Sequence, residues 1–212
     1  MNWQNEMRVE IKHYGDMWQI IKDNALFTIH KENGKYPTDK WKEDILIAEH
    51  SPIRSGKIII NVYDIPSFVI THFVRHHIGI EKYVATFRSD RYQQDEVPNR
   101  NTLQNMRLEI DFQAFINISR KRYCCCASKE TRYVWSQIMK HVKEYEPQLY
   151  MVCVPECIYR CGCSEMFKCN EIQFGSFLFW LKEKKIDNCC LFDIKKRYKL
   201  FKEFIETTDE FY

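Results

Sequence analysis

The 212 residues contain no apolar run long enough to cross a bilayer, which argues against a membrane-spanning helix. A basic and apolar leader is missing too, since Met1 is followed by Asn2, Gln4, Asn5 and Glu6, and a cytoplasmic protein with no membrane partner is expected. Charge of one sign is scarce. Lysine and arginine total 32 against 29 acidic residues, and the resulting +3 and sequence pI of about 8.3 are too mild for a dedicated nucleic-acid binder. A nucleotide-sized anion fits this balance better. Internal repeats and low-complexity runs are absent. Ten cysteines are present, but without a leader they read as reduced thiols or metal ligands, not as a secreted disulfide scaffold.

With 45% hydrophobic residues the chain can bury a sizeable core, and its length fits one α/β domain over residues 1–212, a central sheet flanked by helices. Met7, Val9 and Ile11 alternate with Arg8, Glu10 and Lys12, as in a half-buried outer strand. Met17, Ile20 and Ile21 follow at helical spacing, Leu26 to Ile29 predicts a short strand, and Asn33-Gly34 a turn. Thr38 can cap a helix reaching about Glu49, with Trp41, Ile45 and Ala48 on one face. Lys57 to Tyr63, rich in isoleucine and valine, predicts a strand. Further on, Leu108, Phe112, Phe115 and Ile116 predict one helical face, and Asp111, Ala114, Asn117 and Lys121 another. Ser128 can cap a helix whose Val134, Ile138 and Val142 repeat every fourth residue before Pro147 closes it. From Glu171 onward, Phe174, Phe177, Leu178 and Leu181, then Leu191, Tyr198, Phe201 and Phe204, predict further helices or a partner-binding tail.

The most informative stretch is Ile65 to Tyr92. Pro66 can open a helix that buries Val69, Ile70, Phe73 and Val74 and leaves His72, Arg75 and His76 on another face, one cation with two imidazoles. Arg88, Ser89, Asp90, Arg91 and Tyr92 end the loop that follows, where two guanidiniums and a hydroxyl could hold a phosphate. A solvated basic helix end is the plainer reading of the same residues.

These residues resemble the signature of the flavin-dependent thymidylate synthases, R-H-R-x-x-S-x-N-x-x-S-x-R-Y. Arg75-His76 stands at its start and Ser89-Asp90-Arg91-Tyr92 at its end, with His77 in place of the second arginine and four extra residues between. Ile65-Pro66-Ser67-Phe68-Val69 and Ser51-Pro52 are also similar to that family. A second block, Asn117, Arg122, Ala127, Glu130 and Arg132, keeps the family's N-x(4)-R-x(4)-A-x-x-E-x-R spacing. The resemblance spans roughly residues 44–150 and is to the shortened members often carried by bacterial viruses; residues 151–212, a cysteine-rich segment and a helical tail, show none.

The resemblance implies conversion of dUMP to dTMP, with methylenetetrahydrofolate as carbon donor, NADPH as reductant, FAD as cofactor and a homotetramer whose sites lie between subunits. By that resemblance Ser51, Arg75, His76, His77 and Asn117 lie along FAD, and His72, Arg75, Ser89, Arg91 and Arg122 hold the nucleotide. Arg122 is the catalytic candidate, because an arginine stays protonated and can stabilise negative charge developing on the uracil ring. Where the family has Asn-Glu before its second serine this chain has Thr86 and Phe87, so either Glu81, Thr86 or Arg88 replaces those contacts or the one-carbon chemistry differs, as in a hydroxymethylase. Glu130 reads as an ion-pair partner or a catalytic group. Cys153, Cys157, Cys161, Cys163 and Cys169, with Cys124, Cys125 and Cys126, lack clean C-x-x-C pairs; structural thiols are expected, with zinc or an iron-sulfur cluster as the alternative. A non-enzymatic metal or interaction module is the rival from another class.

Overall fold

A computed structural model describes residues 3–12, 15–32, 34–91, 97–169 and 172–208. Four strands, β1 (Arg8–Lys12), β2 (Lys57–Pro66), β3 (Ile80–Val84) and β4 (Leu103–Asp111), form an antiparallel sheet in the order β1-β2-β4-β3. Around it are helices α1 (Trp18–Phe27), α2 (Asp39–Ile47), α3 (Ser67–Val74), α4 (Phe112–Arg122), α5 (Lys129–Tyr145), α6 (Pro147–Val152), α7 (Glu156–Arg160), α8 (Ile172–Glu183) and α9 (Ile194–Thr207). The architecture is α/β. None of the helices among the described residues is long and apolar enough to cross a membrane.

Side chains alternate across a strand, so Ile58, Ile60 and Val62 of β2 and Met106, Leu108 and Ile110 of β4 fall on one buried face. Helices α3, α4 and α5 cover it. Trp135 of α5 sits at the centre of this layer, with its ring 4.9 Å from that of Phe115 and 5.9 Å from that of Phe73. The opposite face is polar, with Arg107 Nε donating to Asn61 Oδ1 at 2.7 Å and Lys57 paired with Glu109 at 3.2 Å.

Caps read from the sequence recur in place, with Thr38 and Ser128 each accepting a backbone N–H from the first turn of α2 and α5, and Asp193 does the same for α9. Phe177 of α8 packs against Phe201 and Phe204 of α9, so the aromatic residues after Glu171 join the core as helices.

Three local expectations are corrected. Leu26 to Ile29 is the end of α1 and a turn, not a strand: Lys31 N donates to Leu26 O, His30 takes φ 58°, and the exposed Phe27 and Ile29 have no sheet to join. Leu108 belongs to strand β4, and Asp111 caps α4 through Ala114 N at 2.7 Å instead of lying on a helical face. The stretch after His77 read as loop contains β3. Tyr92 and Asn33 lie outside the described residues.

Candidate functional site

Helix α3 starts directly from β2 with Pro66 at its N-cap and Ser67 tied to Thr102 O by both its backbone N and its Oγ. Burial of Val69, Ile70 and Phe73 fixes its rotation, so His72 and the residues just after the helix face away from the core. The helix stops at Val74, one residue short of Arg75; the two imidazoles and the guanidinium therefore occupy a helix end and not a continuous helical face. Its exposed carbonyls are satisfied by cations from elsewhere. Arg122, the last residue of α4, donates from Nη2 to His72 O at 2.6 Å. Lys82 of β3 reaches Val74 O at 3.3 Å and His76 O, and its Nζ stands 3.3 Å from His77 Nδ1. Cations at a helix C-terminus also suit the helix dipole.

Arg122 makes a second bond across the same junction, from Nε to His76 Nε2 at 2.9 Å. A ring nitrogen that accepts must be unprotonated, so His76 carries its proton on Nδ1. Burial, then the charges of Arg122 and Lys82, lower His76 to about 4, which keeps the ring neutral near pH 7. His72 is lowered by burial and by Arg122 and Arg75, against an upward pull from Glu130. Burial and Arg75 also lower Arg122, from a reference so high that it stays a cation. Among the described residues no carboxylate lies within ion-pair distance of Arg75, Lys82 or Arg122, and Glu130 forms no ion pair. The junction is a cationic surface suited to an anion.

Asn117 stands elsewhere on α4. Its Oδ1 accepts from Arg120 Nη1 at 3.0 Å, and Arg120 pairs with Glu49, which also accepts from Gln113 Nε2 at 2.6 Å. Residues 120 and 122 point to nearly opposite sides of a helix, at about 100° per residue. Asn117 therefore lies toward Glu49, two residues before the exposed Ser51, on the far side of α4 from Arg122. Ser89 and Arg91 occupy an exposed turn in which Arg91 N donates to Arg88 O at 3.0 Å. Arg88 grips Asp90 through Nε at 3.0 Å and Nη2 at 2.7 Å, so the expected pair of phosphate-binding guanidiniums is reduced to Arg91. Thr86 Oγ1 accepts from Arg88 N at 3.1 Å.

The structure thus brings together His72, Arg75, His76, His77 and Arg122 and sets Asn117 on another side of α4, while among the described residues Ser51, Ser89 and Arg91 make no hydrogen bond or ion pair to that group. Sequence reasoning missed Lys82, Glu49, Gln113 and Arg120. Lys82 lay in a stretch read as loop, and its place beside the α3 end follows only from the pairing of β3 with β4. Among the described residues no group of three or more His, Cys, Asp or Glu side chains could hold a metal ion.

Two solved structures of thymidylate synthase X from Helicobacter pylori, both with FAD and dUMP, are similar to this chain in fold. One aligns with a TM-score of 0.53 over 68% of this chain and 99% of its own, the other with 0.56 over 69% and 99%, each at 13% identity. This chain has the fold of the flavin-dependent thymidylate synthases. No family model and no curated protein matches the sequence. The likeness to thymidylate synthase X is therefore carried by backbone arrangement; in this chain the strand-to-helix passages from β2 into α3 and from β4 into α4 bring the end of α3 against the end of α4.

Proposed function

We propose that this chain is a flavin-dependent enzyme that converts dUMP to dTMP, with methylenetetrahydrofolate as carbon donor and NADPH as reductant. The observation that carries the reading is the Arg122–His76 junction, a cationic surface without a carboxylate partner among the described residues, built from residues of both signature blocks in a fold whose relatives were solved with FAD and dUMP. The residues fit FAD by their chemistry: the exposed Arg75 and His77 suit a pyrophosphate, and the exposed amide of Asn117 and hydroxyl of Ser51 suit neutral polar edges. Bound FAD supplies the hydride that completes the methyl group.

The remaining chemistry belongs to the chain. Arg122 uses one Nε–H and one Nη2–H to hold the α3 end, leaving three of its five donors to face negative charge developing on the uracil ring. His76, held neutral, orients that guanidinium without repelling it. His72 adds a contact for the nucleotide phosphate, and Arg91 with the Ser89 hydroxyl, which stand in a separate exposed turn, add theirs from another copy of the chain. Because Asn117 and Arg122 point to different sides of α4, a dinucleotide at Asn117 and a nucleotide at Arg122 of the same chain do not share one cleft, which supports a homotetramer with shared sites.

A second reading has its own observation. Phe87 is half-buried and Thr86 is engaged by Arg88 N, so the polar pair that the family places before its second serine has no direct substitute there, which favours a different one-carbon product such as the hydroxymethyl nucleotide. Absorption of the purified protein and the mass of its product test both readings. Bound flavin and a product heavier than dUMP by one methylene support thymidylate synthesis; a hydroxymethyl mass supports the second reading. A colourless protein that takes up no added FAD would overturn both in favour of a non-enzymatic module.

A further inference from the structure

A lysine occupies a row of the sheet that the core otherwise fills. In β3, Ile80, Lys82 and Val84 pair with Ile110, Leu108 and Met106 of β4, and directly opposed residues share a face, so Lys82 stands on the side that the helices cover. Leu108 and Ile110 are fully buried and Ile80 nearly so; an apolar side chain at position 82 would continue the row. Lys82 is half-buried instead, and its four-carbon stem carries the ammonium across to the end of α3. There Nζ donates to Val74 O at 3.3 Å and to His76 O, and stands 3.3 Å from His77 Nδ1.

Protection of the sheet edge does not account for these contacts. β3 is an edge strand, and an inward charge on it discourages pairing with another chain wherever the ammonium comes to rest. Here all three donors are committed to the stretch 74–77. A lysine has no acceptor, so His77 Nδ1 must accept in that contact and the His77 ring proton lies on Nε2. His76 is held the other way, with its Nε2 accepting from Arg122 and its proton on Nδ1. Two adjacent imidazoles thus take opposite tautomers, each set by a cation from a different element. The His77 ring is exposed, which leaves its Nε2–H open to a ligand. The sequence has a matching feature. Where the signature carries a second arginine, cation and donor in one side chain, this chain divides the two: His77 supplies the donor, and Lys82, in the segment that is four residues longer, supplies the cation.

We propose that Lys82 is a positioning residue that fixes His77 as an Nε2–H donor to a diphosphate at the end of α3. Its bonds to Val74 O and His76 O bracket Arg75 and hold that guanidinium on the same fixed segment, while its third donor sets the His77 ring. The ligand rests on the reading of this junction as the place of the FAD pyrophosphate; the tautomer does not.

Long-range proton–nitrogen correlation spectra of the full chain, isotope-labelled on histidine and recorded in mildly alkaline buffer, read the tautomers directly, with His76→Gln and His77→Gln assigning the peaks. Wild type should show a protonated Nε2 at His77 and a protonated Nδ1 at His76. Lys82→Met, which keeps the stem, should leave His77 exchanging between both forms. It should also bind inorganic pyrophosphate about tenfold more weakly, as expected for one charge-assisted hydrogen bond. FAD should displace the pyrophosphate from wild type and dUMP should not. If Lys82→Met fails to fold, the wild-type pattern decides alone. A protonated Nδ1 at His77 in wild type, an unchanged His77 pattern in Lys82→Met, or equal pyrophosphate affinity would each overturn the positioning role and leave the reading of the junction standing. Displacement by dUMP alone would overturn the assignment of His77 to a diphosphate. A wild type with both tautomers in place that binds no pyrophosphate would overturn the reading of the junction instead.

Discussion

Replacing Arg122 with alanine separates the structural and chemical duties of one side chain. The structural part is the loss of two hydrogen bonds from a cation, to His72 O at 2.6 Å and His76 Nε2 at 2.9 Å. Both acceptors are only half-buried, so water can replace the donor, and about 1 kcal/mol each gives a stability loss of about 2 kcal/mol. The chemical part is larger: removing a charged donor aimed at developing negative charge costs about 3 kcal/mol, on the order of a hundredfold in rate. Arg122→Ala should therefore remain folded and yellow, with FAD content close to wild type while dUMP turnover falls about a hundredfold. Arg122→Lys should restore little, since an ammonium cannot span His72 O, His76 Nε2 and a substrate acceptor together. The assay pairs flavin absorption per chain with product formation under saturating substrates. Near-normal turnover of Arg122→Ala, or loss of FAD with dUMP binding intact, would refute the assignment of Arg122 to the pyrimidine.

Because His76 is held at about 4, below its reference of 6.5, the unfolded chain binds more protons between those values, and stability present above pH 6.5 should be lost as pH falls toward 4. The full difference corresponds to about 3 kcal/mol, and solvent screening of a half-exposed ring brings it to roughly 1.5 kcal/mol; denaturant unfolding across pH should show that slope in wild type and lose it in His76→Gln, and equal slopes would count against it. Gly79 has φ 69°, and a Cβ there would overlap the Asp111 carboxylate that caps α4, so Gly79→Ala should cost about 2 kcal/mol, or about 6 °C in Tm, whereas Gly162→Ala, with open space around it, should leave Tm unchanged. Light scattering of the active protein should give an assembly larger than one chain, and a monomer that turns over dUMP would refute shared sites.

The sequence by itself determined whatever depends on near neighbours. Thr38 and Ser128 are caps because a short side chain can reach a backbone N–H a few positions on, and Val134, Ile138 and Val142 define α5 because one helical face repeats within a few residues. The strand Arg8–Lys12 was equally legible from its alternation. The boundary between β4 and α4 was not. Met106, Leu108, Ile110, Phe112, Phe115 and Ile116 satisfy period two and then a helical period with no break in hydrophobicity, and pairing of Ile58 to Ile110 and Ile60 to Leu108 across the sheet decides where one ends. Ile80–Val84 is a strand for the same reason, since most of its residues are exposed and only β4 gives its backbone partners.

Motif spacing singled out Arg122 in the sequence, but its bond to His76 spans 46 positions, and only the packing of α3 beside α4 makes it. Tertiary structure also paired Arg120 with Glu49 and tied Cys125 and Cys157 to Gln173. Residue types and their local spacing set which helices and strands the backbone favours; which guanidinium meets which imidazole depends on the rotation and ends of those elements, and these are set by the burial of faces far apart in the chain.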